Sequence, residues 1–186
     1  MNIYLSAGHR GRGTGAYSKR NGDEADHTIM FRNRLYESLK AKLSFRHKVR
    51  IDSDGEEESR VIRDINNFCG NKGVAIEFHF DASSKAEPNG STVFIADEAS
   101  NTSISIAEDI APLVSDMLGV RNRGVRREKS TARKTIGFLR QTKCPAVLIE
   151  LCFLTNDDDI DKFNKGIDNL VGALTEYLAA MANSNG

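Results

Sequence analysis

The chain has 186 residues, of which 28% are charged and 39% hydrophobic, so we expect one globular domain with a sizeable core. Its 26 basic side chains balance 26 acidic ones, which argues against a general attraction to nucleic acid or to an anionic membrane. No apolar stretch approaches the ~20 residues that a membrane span needs.

Strand patterns and helix patterns alternate along the chain. We predict strands at residues 2–6, 47–51, 73–80, 91–96 and 146–151. We predict helices from Asp23 to Leu43, from a Ser59 cap to Cys69, at 101–118 with a kink or break at Pro112, and at 165–181. This order predicts a single-domain α/β fold over residues 1–182, followed by a disordered tail at 183–186. We expect a mostly parallel twisted sheet of about five to six strands, flanked by helices on both faces.

The N-terminus leads directly into the first strand, without a basic and then apolar leader, so we expect no signal peptide. The cysteines are odd in number and lack CxxC spacing, which predicts free thiols rather than a disulfide framework. They are Cys69, Cys144 and Cys152.

Three apolar strand patterns carry a polar side chain near the end of the run. His9 follows the first strand, His79 lies near the end of the third, and Glu150 lies within Val-Leu-Ile-Glu-Leu-Cys. Because open α/β sheets bind ligands outside the carboxyl ends of their strands, we expect these groups to form one site.

The two strand-end histidines suggest a metal site, since a catalytic zinc takes about three ligands from His, Glu, Asp or Cys. We predict Glu24, in the first helical turn after the loop that carries His9, as the third ligand. Asp23, Asp26 and His27 are its rivals. We interpret His27 as a surface or cap residue and His47 as a solvated one. For any single histidine, a structural role remains the alternative.

Glu150 has two interpretations. It can form a salt bridge with one of the many arginines, since an unpaired buried carboxylate is costly. Alternatively it is a general base whose pKa is raised by its apolar surroundings. We favour the second, because it is the one charge in this strand pattern.

Four sequence blocks occur in an order that resembles a known family. They are Ala7-Gly8-His9, then Asn21-Gly22-Asp23-Glu24, then Glu77-Phe78-His79-Phe80-Asp81-Ala82, then Pro145 through Asn156. Together they resemble the zinc-dependent N-acetylmuramoyl-L-alanine amidases of the Amidase_3 type, over nearly the whole chain. The resemblance implies Zn²⁺ bound by His9, Glu24 and His79, with Glu150 as the catalytic acid–base residue.

The implied reaction is hydrolysis of the amide between N-acetylmuramic acid and L-alanine in bacterial peptidoglycan. Two positions depart from the family pattern: Arg10 replaces a glycine, and Asp81 replaces an asparagine. Asp81 can alter substrate contacts or compete as a ligand. The basic segment 121–134 includes Arg126 and Arg127, which we predict to bind substrate or to attract an anionic wall; a solvated loop is the alternative.

Other functions stay open at this point. A peptidoglycan-binding module without turnover is one alternative, and a zinc peptidase acting on other peptides is another. The expected partner is peptidoglycan and not nucleic acid, and we expect a monomer. Without a signal peptide, a phage endolysin released to the wall through a membrane lesion is favoured, with a secreted host autolysin as the alternative.

Overall fold

A computed structural model describes residues 1–11 and 13–184. Its strands are β1 (Asn2–Ala7), β2 (Tyr17–Ser18), β3 (Gly22–Asp23), β4 (Lys48–Ile51), β5 (Val74–Asp81), β6 (Ser91–Ile95), β7 (Asn122–Arg127) and β8 (Ala146–Phe153). Its helices are α1 (Glu24–Lys42), α2 (Glu58–Cys69), α3 (Asn101–Leu118), α4 (Gly137–Gln141) and α5 (Asp157–Ser184), with one 3₁₀ turn at Glu128–Ser130.

Six strands form one sheet in the order β4-β1-β5-β8-β6-β7. The pairs β1–β4, β1–β5, β5–β8 and β6–β7 are parallel, and only β6–β8 is antiparallel within the described sheet. The central strands β5 and β8 are almost wholly buried, which explains their continuous apolar sequences. The predicted mostly parallel sheet is therefore confirmed.

Helices cover both faces of the sheet, as predicted. One core contains Phe31 from α1, Ile110 from α3 and Leu174 from α5. A smaller core on the other face contains Ile65 from α2 and Phe138 from α4. Alternate residues of a strand point to opposite faces, so Ile3 and Leu5 enter the first core while Tyr4 enters the second. The three cysteines are buried and free.

Several predicted boundaries were wrong. Helix α2 begins at Glu58 with Glu57 as its N-cap, so Ser59 is not the cap. Helix α3 has its predicted bounds, but it runs through Pro112 as one helix, so the helix does not break there. Helix α5 begins at Asp157 rather than Lys165, because the Asn156 side chain accepts the Asp159 N–H at 3.0 Å and acidic residues favour a first turn.

The other differences concern the C-terminal tail and the basic segment. Helix α5 extends to Ser184, so residues 183 and 184 are helical, while the rest of the predicted tail lies outside the described residues. Part of the basic segment is strand β7, which pairs with β6 at the edge of the sheet. We did not predict this strand, because its sequence is mostly polar. An edge strand need not be apolar on both faces. The helices of the described chain include none long and apolar enough to cross a membrane.

Candidate metal centre and active site

His9 lies just beyond the end of β1 in a left-handed backbone conformation, with φ at 53°. This conformation is uncommon for a residue with a side chain and often marks a functional position. Two hydrogen bonds fix the preceding residue: the Gly8 N–H donates to the Phe78 carbonyl at 2.8 Å, and the Thr28 hydroxyl donates to the Gly8 carbonyl at 2.7 Å. The backbone that carries His9 is therefore held at the end of the strand.

Glu24 is the first residue of α1 and is buried. Its Oε2 accepts the Ala16 N–H at 2.9 Å, and its Oε1 accepts the Phe80 N–H at 3.0 Å. A carboxylate is also favoured at the positive end of a helix. These hydrogen bonds connect the start of α1 to the loop that contains Ala16 and to β5.

His79, on β5, completes a group with His9 and Glu24. Its Nδ1 lies 3.1 Å from Glu24 Oε1, and His9 Nε2 lies 3.7 Å from Glu24 Oε2. The two imidazole rings are nearly perpendicular, with centroids 5.1 Å apart. One ligand atom from each residue lies within 4.8 Å of the others, and among the described residues this is the one such group that could hold a metal.

Two glycines make room for this group. A Cβ at Gly8 would lie 2.3 Å from the His79 ring, and a Cβ at Gly15 would lie 2.6 Å from the His9 ring and 2.7 Å from Glu24 Oε2. Gly15 also has φ at 85°, which side-chain-bearing residues rarely adopt. The close packing of backbone on these rings thus requires glycine at both positions.

The carboxylates around His79 favour a positive charge at this site. Burial alone would lower the pKa of His79, but hydrogen bonds to Glu24 and Glu77 outweigh burial and raise that pKa well above its ordinary value. Burial likewise raises the pKa of Glu24, yet contact with His79 outweighs it and lowers the pKa. Nitrogen and carboxylate donors with an excess of negative charge suit Zn²⁺.

Glu150 lies on β8, directly across from His79 on β5. Its Oε2 is shielded from solvent and has no hydrogen-bond partner among the described residues. Burial, reinforced by Asp81, Glu24 and Glu77, raises the pKa of Glu150 to about 8, although His79 acts in the opposite direction. Such an unpaired carboxylate oxygen is costly for stability, which is typical of a functional group. No salt bridge from an arginine to Glu150 is found in the described chain, so that alternative is not supported.

Two residues near the site were not predicted. Glu77 is buried two residues before His79, and its Oε2 lies 3.3 Å from His79 Nε2. Arg10 is also buried and pairs with Glu77 at 3.3 Å and with Asp52. The two-residue spacing of Glu77 and His79 on one strand face was a usable signal. The Arg10 contact joins distant parts of the chain and had no local signal.

The rivals for the third ligand lie elsewhere. Asp23 is the N-cap residue of α1, and Asp26 is exposed in its first turn. His27 Nε2 lies 2.7 Å from the Asn21 carbonyl oxygen, with its ring against Phe80, so it is a packed residue near the helix start. His47 is buried, and its Nδ1 lies 2.7 Å from the N-terminal amine; the prediction of a solvated histidine was wrong.

The predicted substrate residues occupy different settings. Asp81 ends β5, is partly buried and is outside the His9–Glu24–His79 group. Burial raises the pKa of Asp81, while Arg123 and Arg126 oppose this increase. Arg126 is exposed on β7, whereas Arg127 donates to the Ala96 and Asp97 carbonyls.

Comparisons with known proteins all point to one family. The sequence model of the family described as N-acetylmuramoyl-L-alanine amidase matches residues 3–178. The probable cell wall amidase LytH of Staphylococcus saprophyticus is 28% identical over 86% of this chain and 50% of its own length. The amidase LytC of Bacillus subtilis is 33% identical over 50% of this chain and 18% of its own length. The chain thus spans half or less of these two relatives.

Solved structures share the fold. An N-acetylmuramoyl-L-alanine amidase from Clostridium difficile 630 superposes with a TM-score of 0.84 at 21% identity, covering 100% of this chain and 98% of the other. The catalytic domain of the CD27L endolysin, which targets Clostridia Difficile, gives a TM-score of 0.73 at 26% identity, covering 96% of each chain.

Proposed function

Because the chain belongs to the N-acetylmuramoyl-L-alanine amidase family, we propose that it hydrolyses the amide between N-acetylmuramic acid and L-alanine in bacterial peptidoglycan. In this proposal His9, Glu24 and His79 hold Zn²⁺, and Glu150 is the general base and acid. The observation that carries the proposal is the convergence of these three ligands beside a carboxylate with an unpaired oxygen.

The donor set fits zinc. Two imidazoles and one carboxylate are the protein ligands of many catalytic zinc sites, which keep a further position open. The three proposed ligands come from the end of β1, the start of α1 and β5, and their closeness supports the assignment. When bound, zinc supplies a Lewis acid that polarises the scissile carbonyl and makes water a stronger acid.

Glu150 is the group that we propose to transfer the proton. Its side chain is on the strand next to His79, and its unpaired Oε2 can accept a proton from the attacking water. The same oxygen then returns the proton to the nitrogen of L-alanine as the amide bond breaks. Burial and the neighbouring carboxylates raise the pKa of Glu150, which suits a group that must both accept and donate a proton.

Cationic side chains near the centre suit a substrate with peptide carboxylates. Arg126 is exposed on β7, so we propose it as the cationic contact for a substrate carboxylate, with Asp81 at the end of β5 as a second proposed substrate contact. Arg127 already donates to backbone carbonyls, so its contribution is to the position of β7. The site of action is the bacterial cell wall.

Metal removal tests the proposal. Purified protein should contain one zinc per chain, and a chelator should abolish release of stem peptides from purified peptidoglycan until zinc is restored. A His79→Ala variant should lose most of its zinc, because one of the three ligands is gone. Full zinc occupancy in that variant would refute the ligand assignment. Wall binding without any turnover would indicate a binding module, and cleavage of ordinary peptides alone would indicate a peptidase.

A further inference from the structure

The ring of His79 lies between two carboxylates, one at each ring nitrogen. Nδ1 faces Glu24 at 3.1 Å, and Nε2 faces Glu77 Oε2 at 3.3 Å. The side that faces Glu24 is the side of the ligand group, and Glu77 is not a member of that group. Glu77 therefore contacts the histidine from behind, on the edge of the ring turned away from the metal centre.

Glu77 is itself held in one orientation. Its Oε1 accepts the Ser6 hydroxyl at 3.2 Å and an Arg10 guanidinium N–H at 3.3 Å, which leaves Oε2 for His79. Ser6 is the direct partner of Glu77 in the β1–β5 pairing. The side chain is 6% exposed, so water does not compete for these contacts.

A balanced set of buried charges supports this orientation. Arg10 donates to Asp52, and Arg32 donates to Asp52 at 2.7 Å, while the Ser6 hydroxyl also lies 3.0 Å from Asp52. Two guanidinium groups thus face the two carboxylates of Asp52 and Glu77. Buried ions need this pairing, because a buried charge that loses its partner is strongly destabilising.

We propose that Glu77 is a positioning residue for the metal centre: it holds the proton of His79 on Nε2 and so leaves Nδ1 free to bind the metal. Ligating histidines commonly donate their other ring N–H to a carboxylate, which fixes the tautomer and the ring orientation. The inference rests on the proposed function, since it needs zinc at this site. In this inference, the cluster of Ser6, Arg10 and Asp52 fixes the orientation of the Glu77 carboxylate.

The Glu77→Gln variant tests this role, because the volume of the side chain barely changes. The Arg10 guanidinium can only donate, so the amide oxygen takes the place of Oε1 and the amide NH₂ faces His79 Nε2. That arrangement favours a proton on Nδ1, where it blocks the metal. Zinc affinity, measured by chelator competition at fixed pH, should fall about 10- to 100-fold.

Glu150→Gln is the matched control for the change from a carboxyl group to an amide. It makes the same carboxylate-to-amide change beside His79, on the neighbouring strand, without touching Nε2. Its loss of zinc affinity should stay below the range expected for Glu77→Gln. The zinc affinity of both variants is measured well below their melting temperatures. Circular dichroism provides those melting temperatures.

A spectroscopic measurement on the wild type keeps the test independent of whether Glu77→Gln folds. In the zinc-loaded protein, ¹⁵N NMR of the histidines should show His79 with Nδ1 metal-bound and a hydrogen-bonded proton on Nε2. A His79 that binds zinc through Nε2, or a Glu77→Gln affinity no lower than that of Glu150→Gln, would overturn the positioning role alone. A wild type that binds no zinc would overturn the proposed function and this inference with it.

Discussion

Gly15 shows how closely the loop before α1 packs against His9 and Glu24. An alanine there would place its Cβ 2.6 Å from the His9 ring and 2.7 Å from Glu24 Oε2. We expect Gly15→Ala to lower amidase activity about 10²-fold, because displacement of catalytic groups by even 1 Å has effects of that size. Turnover of peptidoglycan and zinc content of the purified variant measure the effect.

Gly13→Ala is the matched control for Gly15→Ala. Gly13 also has a positive φ, at 75°, but nothing lies within 4 Å of the Cβ that an alanine would add. The left-handed backbone should cost each variant ~1–2 kcal/mol, and the contacts with His9 and Glu24 add to that cost only in Gly15→Ala. Equal losses of activity in the two variants would show that backbone strain, and not contact with His9 and Glu24, is the cause.

A substitution at Glu150 distinguishes the proposed metal binding from the proposed proton transfer. Glu150→Gln keeps the size of the side chain but removes the group that accepts the proton of water. We expect the variant to fold and to retain zinc, while its rate on peptidoglycan falls about 10²- to 10⁴-fold. A variant that cleaves at the wild-type rate would show that the unpaired carboxylate is structural.

At the level of the elements, β7 is the part of the fold that joins the basic segment to the sheet. Arg126 is exposed on it, while Arg127 donates to carbonyls next to β6. If exposed charge guides the enzyme to an anionic wall, lysis should fall as salt rises, because such charges are screened within ~8–10 Å at physiological ionic strength. Arg126→Ala should therefore flatten the salt dependence measured on whole walls.

Arg127→Ala is the comparison for Arg126→Ala. Loss of the Arg127 side chain should lower the melting temperature, since its hydrogen bonds position β7. It should not change how lysis of whole walls depends on salt concentration. A salt profile unchanged by Arg126→Ala would reject wall steering by this residue. A raised KM for small soluble muropeptides in that variant would instead place Arg126 in the substrate cleft.

The ends of the central strands were predictable, and the edge strand β7 was not. β5 and β8 are buried on both faces, so their apolar runs stood out and located His79 and Glu150. Strand β7 carries arginines because one side of an edge strand meets solvent, and the same composition also suits a loop. The start of α5 depended on an Asn156 cap and three aspartates, which apolar periodicity does not register.

At the scale of the whole molecule, the strand order places the site. The sheet sets β5 between β1 and β8, which brings His9, His79 and Glu150 to neighbouring strand ends from positions far apart in sequence. Alternating strand and helix patterns predicted a parallel sheet, but the antiparallel β6–β8 pair depends on long-range contacts. The Arg10–Asp52–Arg32 cluster is likewise a product of the tertiary fold, since its members come from three separate segments.

Mass spectrometry of peptidoglycan fragments after digestion by the zinc-loaded protein is the most direct test of the proposed reaction. We predict free stem peptides that begin with an L-alanine amine, together with glycan strands whose N-acetylmuramic acid carries a free lactyl carboxylate. Glu150→Gln should form both products about 10²- to 10⁴-fold more slowly, and neither should appear after chelation. Fragments cut within the stem peptide or between sugars, with the lactyl–alanine amide intact, would contradict the proposed function.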